Sequence, residues 1–156
     1  MSTLTLTESI LDNPVFAGLS RTEAEELARH CEVLLLPPER TIFEQGDPST
    51  DIFVLFRGRL EIRVRDTAGV DNSVGYLLEG EVLGEMGVLE SCPRSASVLT
   101  AEDTVLLRIP GKGFTEMTFA GHPAIHRLLR WSIHKACNRL RELDTRLDTL
   151  FHVEKG

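Results

Sequence analysis

The spacing of apolar positions changes twice along this chain of 156 residues. In residues 1–31, read as N-terminal helices, the clearest segment is LSRTEAEELARHC, where Leu27 and Cys31 recur at helical spacing. Ser20 offers an N-cap and Glu23 stands three residues on, the signature of a capping box. From residue 32 to 109 the period falls toward two. The runs EVLLL, TIFEQ, IFVLF, RLEIRVR, SVGYLL, SASVLT and TVLLRI alternate with the turn-forming PPER, GDPST, DTAGVDN, LEGE and AED. Strands so short and closely spaced, with no helical crossovers between them, predict a sandwich or jelly roll rather than a doubly wound parallel sheet. PGKGF ends the last strand, and HPAIHRLLRWSIHKACNRLRELDTRLDTLF then runs helical, with Pro123 suited to a first helical turn. The expected layout is a mainly β domain over residues 1–156, with helices at 1–31, a β-roll at 32–109 and C-terminal helices at 110–156.

The last helix carries a second pattern. Leu129, Ile133, Ala136, Leu140, Leu143, Leu147 and Leu150 follow one another in steps of four and three, the seam of a coiled coil. Its flanks from residue 138 onward are mostly charged or polar, and Arg139 and Asp144 fall at g and e positions that meet across a parallel pair. A parallel homodimer through this helix is expected.

Composition narrows the functional classes. Hydrophobic residues make up 42% and charged residues 26%, ordinary values for a globular domain. Seventeen basic residues against 24 acidic ones leave a net charge of -7, opposite in sign to that of a typical duplex-DNA binder. Cys31, Cys92 and Cys137 are odd in number and irregular in spacing, which suits neither a disulfide framework nor a structural zinc site. No apolar run is long enough to span a bilayer, and the first residues lack the basic and apolar regions of a secretory leader. A reducing cytoplasm is the expected setting, with no membrane contact. His122 and His126 stand one helical turn apart without an evident third ligand, so no metal is expected. Ser91, Ser95 and Ser97 have no histidine base nearby in sequence, so no catalysis is expected either. Trp131 and Phe119 are expected to cover the core or the mouth of the roll.

The segment that carries chemistry is GEVLGEMGVLESCPRSASVLT, residues 80–100. Gly84-Glu85-Met86-Gly87-Val88-Leu89 has the composition of a tight turn entering one helical turn, ended at Cys92-Pro93; Arg94-Ser95-Ala96-Ser97-Val98 then resumes a strand. Backbone N–H groups freed at that turn favour an anion. Arg94 can fold back over the same spot, and guanidinium suits bidentate phosphate binding. A carboxylate beside an anion, as at Glu85, is explained if the ligand also presents a hydroxyl, because a carboxylate only accepts. A phosphate next to a ribose 2′-hydroxyl satisfies both residues.

Residues 84–98, GEMGVLESCPRSASV, resemble the phosphate-binding cassette of the cyclic-nucleotide-binding domain family: glycine, glutamate, small or apolar residues, a short loop, then arginine and a strand of small residues ending in valine. FEQGDPSTDIFVLFRGRLEI, residues 43–62, resembles the family's earlier turn and strand pair. NPVFAGLSRTEAEELA resembles the leading helices of its bacterial branch, and the C-terminal helix resembles the dimer helix of the catabolite activator branch. The resemblance implies a double-stranded β-helix in which Gly84 and Met86 give backbone donors, Glu85 binds the ribose, Arg94 binds the phosphate and Ser95 adds a phosphate or base contact. From the long helix a polar residue is implied over the base. Position 137 there is cysteine, so Asn138 and Arg139 are the candidates. Ser95 matches the serine of bacterial cyclic AMP receptors while keeping the hydroxyl that cyclic GMP binders carry as threonine, and the leaning is to cyclic AMP over cyclic GMP.

The implied function is a sensor whose long helix moves when a cyclic nucleotide is captured. It implies no resident cofactor. Nothing in the chain reads as a helix-turn-helix, so DNA binding is not expected and the signal is expected to pass to an unidentified protein effector. A competing reading is a dimeric interaction module that keeps the fold and has lost its ligand. Retention of both Glu85 and Arg94 argues against it.

Overall fold

The computed structural model describes residues 3–153. The outermost residues of the expected domain range, 1–2 and 154–156, lie outside the described residues. Helix α1 (Thr3–Leu11), a 3-10 turn (Pro14–Phe16) and α2 (Arg21–Arg29) precede eight strands: β1 (Glu32–Leu36), β2 (Thr41–Phe43), β3 (Asp51–Arg57), β4 (Leu60–Arg65), β5 (Asp71–Leu77), β6 (Val82–Leu83), β7 (Ser97–Thr100) and β8 (Thr104–Pro110). Helix α3 (Glu85–Glu90) interrupts them between β6 and β7, and α4 (Gly111–Phe119) and α5 (Pro123–Val153) follow. The strands form two four-stranded antiparallel sheets, ordered β1-β8-β3-β6 and β2-β7-β4-β5. This is the jelly roll expected from the strand spacing.

Strand β3 explains how the roll and the helices share one sheet. Ile52, Phe53, Val54 and Leu55 are all buried, because both faces of the strand are covered. Ile52 and Val54 point to the helical side, where they join Ile10, Phe16, Leu27, Leu107, Ile109, Phe114 and Leu128. Phe53 and Leu55 face the inside of the roll with Leu60, Leu77, Leu83, Val98 and Leu106. The uninterrupted run IFVLF is therefore the mark of a strand buried on two sides.

The amino-terminal helix pair is fixed as its residues dictate. Ser20 Oγ accepts from the Glu23 backbone N–H at 3.2 Å, and Glu23 returns the bond to the Ser20 N–H at 2.7 Å, completing the capping box. His122 caps α5: its Nδ1 accepts from the Ala124 N–H at 3.2 Å, and its Nε2 stands 3.3 Å from Glu26. His126 on the next turn is exposed. The buried side of α5 is short. Ala124, Ile125 and Leu128 pack against the domain, Trp131 covers the edge of that core, and the helix then continues outward.

Within the helices expected over 110–156, α4 starts at Gly111, whose N–H donates to Asp51 Oδ1 at 3.2 Å, and it buries Phe114 and Met117. One expectation is corrected: Phe119 covers neither core nor mouth, and is 89% exposed at the end of α4. The two-residue strand β6 lies between the turn LEGE and the tight turn at Gly84, where no strand was assigned, and pairs with Phe53 and Val54 of β3.

Candidate functional site

Between β6 and β7 the chain leaves one sheet, makes the six-residue helix α3 and enters the other sheet. Gly84 allows the departure. Its φ of +87° is a conformation that side chains resist. A Cβ there would also overlap the Arg94 guanidinium and lie 2.9 Å from the Asp51 carbonyl oxygen. Gly87, one turn on, is required for a different reason: a Cβ on it would overlap the Ser49 side chain.

Arg94 fills the space that Gly84 leaves. It is 6% exposed. Its Nη1 donates to the Gly84 carbonyl at 3.2 Å and its Nη2 to the Asp51 carbonyl at 2.7 Å. Its Cζ lies 4.2 Å from the centre of the Phe43 ring, a cation–π stack. Its Nε has no acceptor. Burial pulls the guanidinium pKa down, and the charges of Asp51, Asp47 and Glu85 oppose that. The backbone of Arg94 is tied to the β2–β3 loop, with Arg94 N–H donating to Asp47 O and Gly46 N–H donating to Arg94 O, both at 2.8 Å.

Glu85 opens α3 at the same place. Burial pushes its carboxyl above the usual range, against the pull of its own backbone N–H and of Arg139 and Arg94. Gly84, Glu85, Met86, Arg94 and Ser95 line one cavity of about 220 Å³, with Phe43, Ile62, Leu77, Leu83 and Val98 as apolar walls. Arg139 reaches this cavity from α5 and bonds Glu81 at 2.6 Å. Asn138 does not line it; its side chain bonds His134 and Arg141 on its own helix. The structure thus brings six of the seven expected residues together. Ser49 and Gly87 line the cavity as well, and neither was singled out by the cassette pattern. A larger concavity of about 490 Å³ opens between Asn13, Pro14, Phe56 and Gly80, but it has no unpaired buried donor among its described residues.

An acceptor-seeking guanidinium, a carboxyl at its side and apolar walls suit a ligand with an anionic end, a hydroxyl and a flat body. Residues 33–120 match the family model of the cyclic nucleotide-binding domain. The chain belongs to that family. It is 29% identical over 142 residues to the cyclic AMP receptor protein of Thermus thermophilus, covering 91% of this chain and 64% of that one. It is 34% identical over 93 residues to the Pycsar effector protein XpPycTIR of Xanthomonas perforans, covering 59% of this chain and 29% of that protein. The chain therefore spans less than two thirds of the length of either relative. The solved Thermus thermophilus catabolite activator protein superposes with a TM-score of 0.69 at 29% identity, over 88% of this chain and 63% of that one. A cyclic nucleotide-binding domain from Methylobacillus flagellatus superposes with a TM-score of 0.74 over 92% of this chain and 81% of that one; at 17% identity it speaks to the fold alone. Among the described residues no helix is long and apolar enough to cross a membrane, and no cluster of three His, Cys, Asp or Glu side chains is placed to hold a metal.

The crowding at Gly84 generates a test. Gly84→Ala is expected to destabilise the domain by more than about 1 kcal/mol in urea unfolding, through backbone strain and the overlap with Arg94. A variant as stable as the wild type would show that the cradle yields to a methyl group.

Proposed function

We propose that this cyclic nucleotide-binding domain is a sensor for cyclic AMP that signals through its long helix. The observation that carries the reading is Arg94: a buried guanidinium with one donor left unpaired, beside the Glu85 carboxyl in a common cavity. In this reading Arg94 holds the ligand phosphate, Glu85 accepts from the ribose 2′-hydroxyl, the Gly84 and Met86 backbone N–H groups approach the phosphate, and Ser95 contacts phosphate or base. Arg139 faces the base from α5. Asn138 comes into reach only if α5 turns on capture. Glu81 now holds Arg139, so a ligand competing for Arg139 biases α5 between two positions. The move is passed to a protein effector, and the setting proposed for it is the cytoplasm.

The second element of the proposal is a parallel homodimer. Beyond the docked turn of α5, Ile133, Leu140, Leu143, Leu147 and Leu150 are each at least half exposed. With Ala136 they make up the expected coiled-coil seam, except that its first residue, Leu129, packs against the domain core. Arg139 is engaged with Glu81 of its own chain, so the seam's apolar residues, rather than an Arg139–Asp144 pair across it, carry the association.

Calorimetric titration with cyclic AMP and cyclic GMP tests the ligand. Binding of cyclic AMP is expected, and Arg94→Ala should cost about 2–5 kcal/mol of it, at least about thirty-fold in affinity. A clear preference for cyclic GMP reverses the choice of base, and a site indifferent to Arg94→Ala lies elsewhere.

The raised carboxyl of Glu85 sets a pH dependence. Its protonated form takes over at a higher pH than for an ordinary glutamate near about 4.3. Affinity should therefore fall as pH drops from neutral into that range, and Glu85→Gln should bind weakly with the dependence removed. A wild-type affinity flat from neutral pH down to pH about 4 contradicts the role of Glu85.

Sedimentation tests the dimer. Wild type is expected to sediment as a dimer that Leu143→Asp dissociates, because the aspartate puts a charge in the seam. A wild type that remains a monomer at tens of micromolar, with or without ligand, removes this element.

A further inference from the structure

Two buried donors at one cavity lack acceptors: the Nε of Arg94 and the Oγ of Ser49. They arrive from separate parts of the chain. Arg94 stands in the segment before β7, and Ser49 belongs to the loop between β2 and β3. That loop is fastened to the cassette by the paired backbone bonds of Arg94 with Gly46 and Asp47. Each donor side chain also rests on a glycine of the α3 turn, Arg94 on Gly84 and Ser49 on Gly87. Both donors border the same cavity, so a guest that accepts hydrogen bonds there can meet the two of them.

Buried polar groups nearly always have partners, and two unpaired donors beside one cavity call for an acceptor-only guest. An oxyanion meets the demand, because its oxygens accept and its charge is matched by the guanidinium. We infer that Ser49 is a further ligand-binding residue, whose hydroxyl donates with Arg94 Nε to a phosphate oxygen of the bound cyclic nucleotide. This rests on the cyclic-nucleotide reading of the site. Ser49 lies outside residues 84–98, so the phosphate is held from two directions: by the cassette, and by a loop that enters the sheet at β3.

The hydroxyl is unpaired in the free protein and paired in the complex. Replacing Ser49 should therefore move stability and affinity in opposite senses, or leave stability unchanged while affinity falls. Loss of a merely structural contact would lower both.

The experiment compares wild type with Ser49→Ala by thermal melting without ligand and by titration with cyclic AMP, cyclic GMP and the two phosphorothioate diastereomers of cyclic AMP. The expected result is an unliganded Tm equal to or above that of wild type and an affinity for cyclic AMP about ten-fold weaker. Sulfur is a poor acceptor, so wild type should discriminate between the diastereomers and Ser49→Ala should narrow their ratio. An affinity within about twofold of wild type, a fall in Tm together with affinity, or an unchanged diastereomer ratio overturns the role of Ser49. A wild-type protein that binds neither cyclic nucleotide overturns the reading of the site, and the role of Ser49 with it.

Discussion

A guanidinium that is buried without a carboxylate bound to it has to be held by neutral acceptors, and the chain must bring those acceptors to it. Arg94 is in that position. Two backbone carbonyls, Gly84 O and Asp51 O, take its Nη groups, and the Phe43 ring covers its face. Much of the site geometry follows. The chain has to turn at Gly84 with a positive φ to aim its carbonyl inward, and β3 has to begin at Asp51 to supply the other. Asp51 works at both ends: its carboxylate binds Arg108 on β8 and the N–H of Gly111 at the start of α4. One residue thereby ties the cassette to the sheet and to the first of the helices that follow it.

The helices depend on the same sheet. Strands β3 and β8 bury side chains on both faces, so the interior of the roll and the helical layer share a wall. Among the described residues, helix α5 has one short patch on that wall, around Ala124, Ile125 and Leu128, before Trp131 and Arg139 fasten it to the turn before β6. The Trp131 indole N–H donates to Gly80 O at 2.7 Å, and Arg139 bonds Glu81. A helix of 31 residues with so small a docked area has most of its length available for another surface.

The fold was legible where one local rule acted alone. Ser20 and Glu23 announce a capping box, and the structure contains both of its bonds. The alternating runs mark most strands within a residue or two. Strand β6 was hidden because two residues are too few to show a period, and the start of α4 was blurred because Gly111 and Gly113 look like turn residues. Its second glycine is instead a packing site, where a Cβ would lie 3.1 Å from His30 O. At the site, Gly84, Glu85, Met86, Arg94 and Ser95 were legible because the cassette places them within a dozen residues of one another. Ser49 and Asp51 were not. Their relation to Arg94 arises from a loop pairing across more than forty positions of sequence, which no local spacing encodes. Asn138 and Arg139 are neighbours in sequence, yet a helix turns adjacent side chains to different directions, and only Arg139 meets the cavity.

Trp131 is the only tryptophan in the chain, and it stands at the joint between α5 and the turn that leads into the cassette. Its indole is half-buried, bonded to Gly80 O and approached by Lys135 Nζ at 5.4 Å from the ring centre. The emission of an indole responds to its exposure and to the charges around it. A shift of α5 against the roll would change both at once, so the domain carries its own optical gauge of helix position, without a label and without a second tryptophan to dilute the signal.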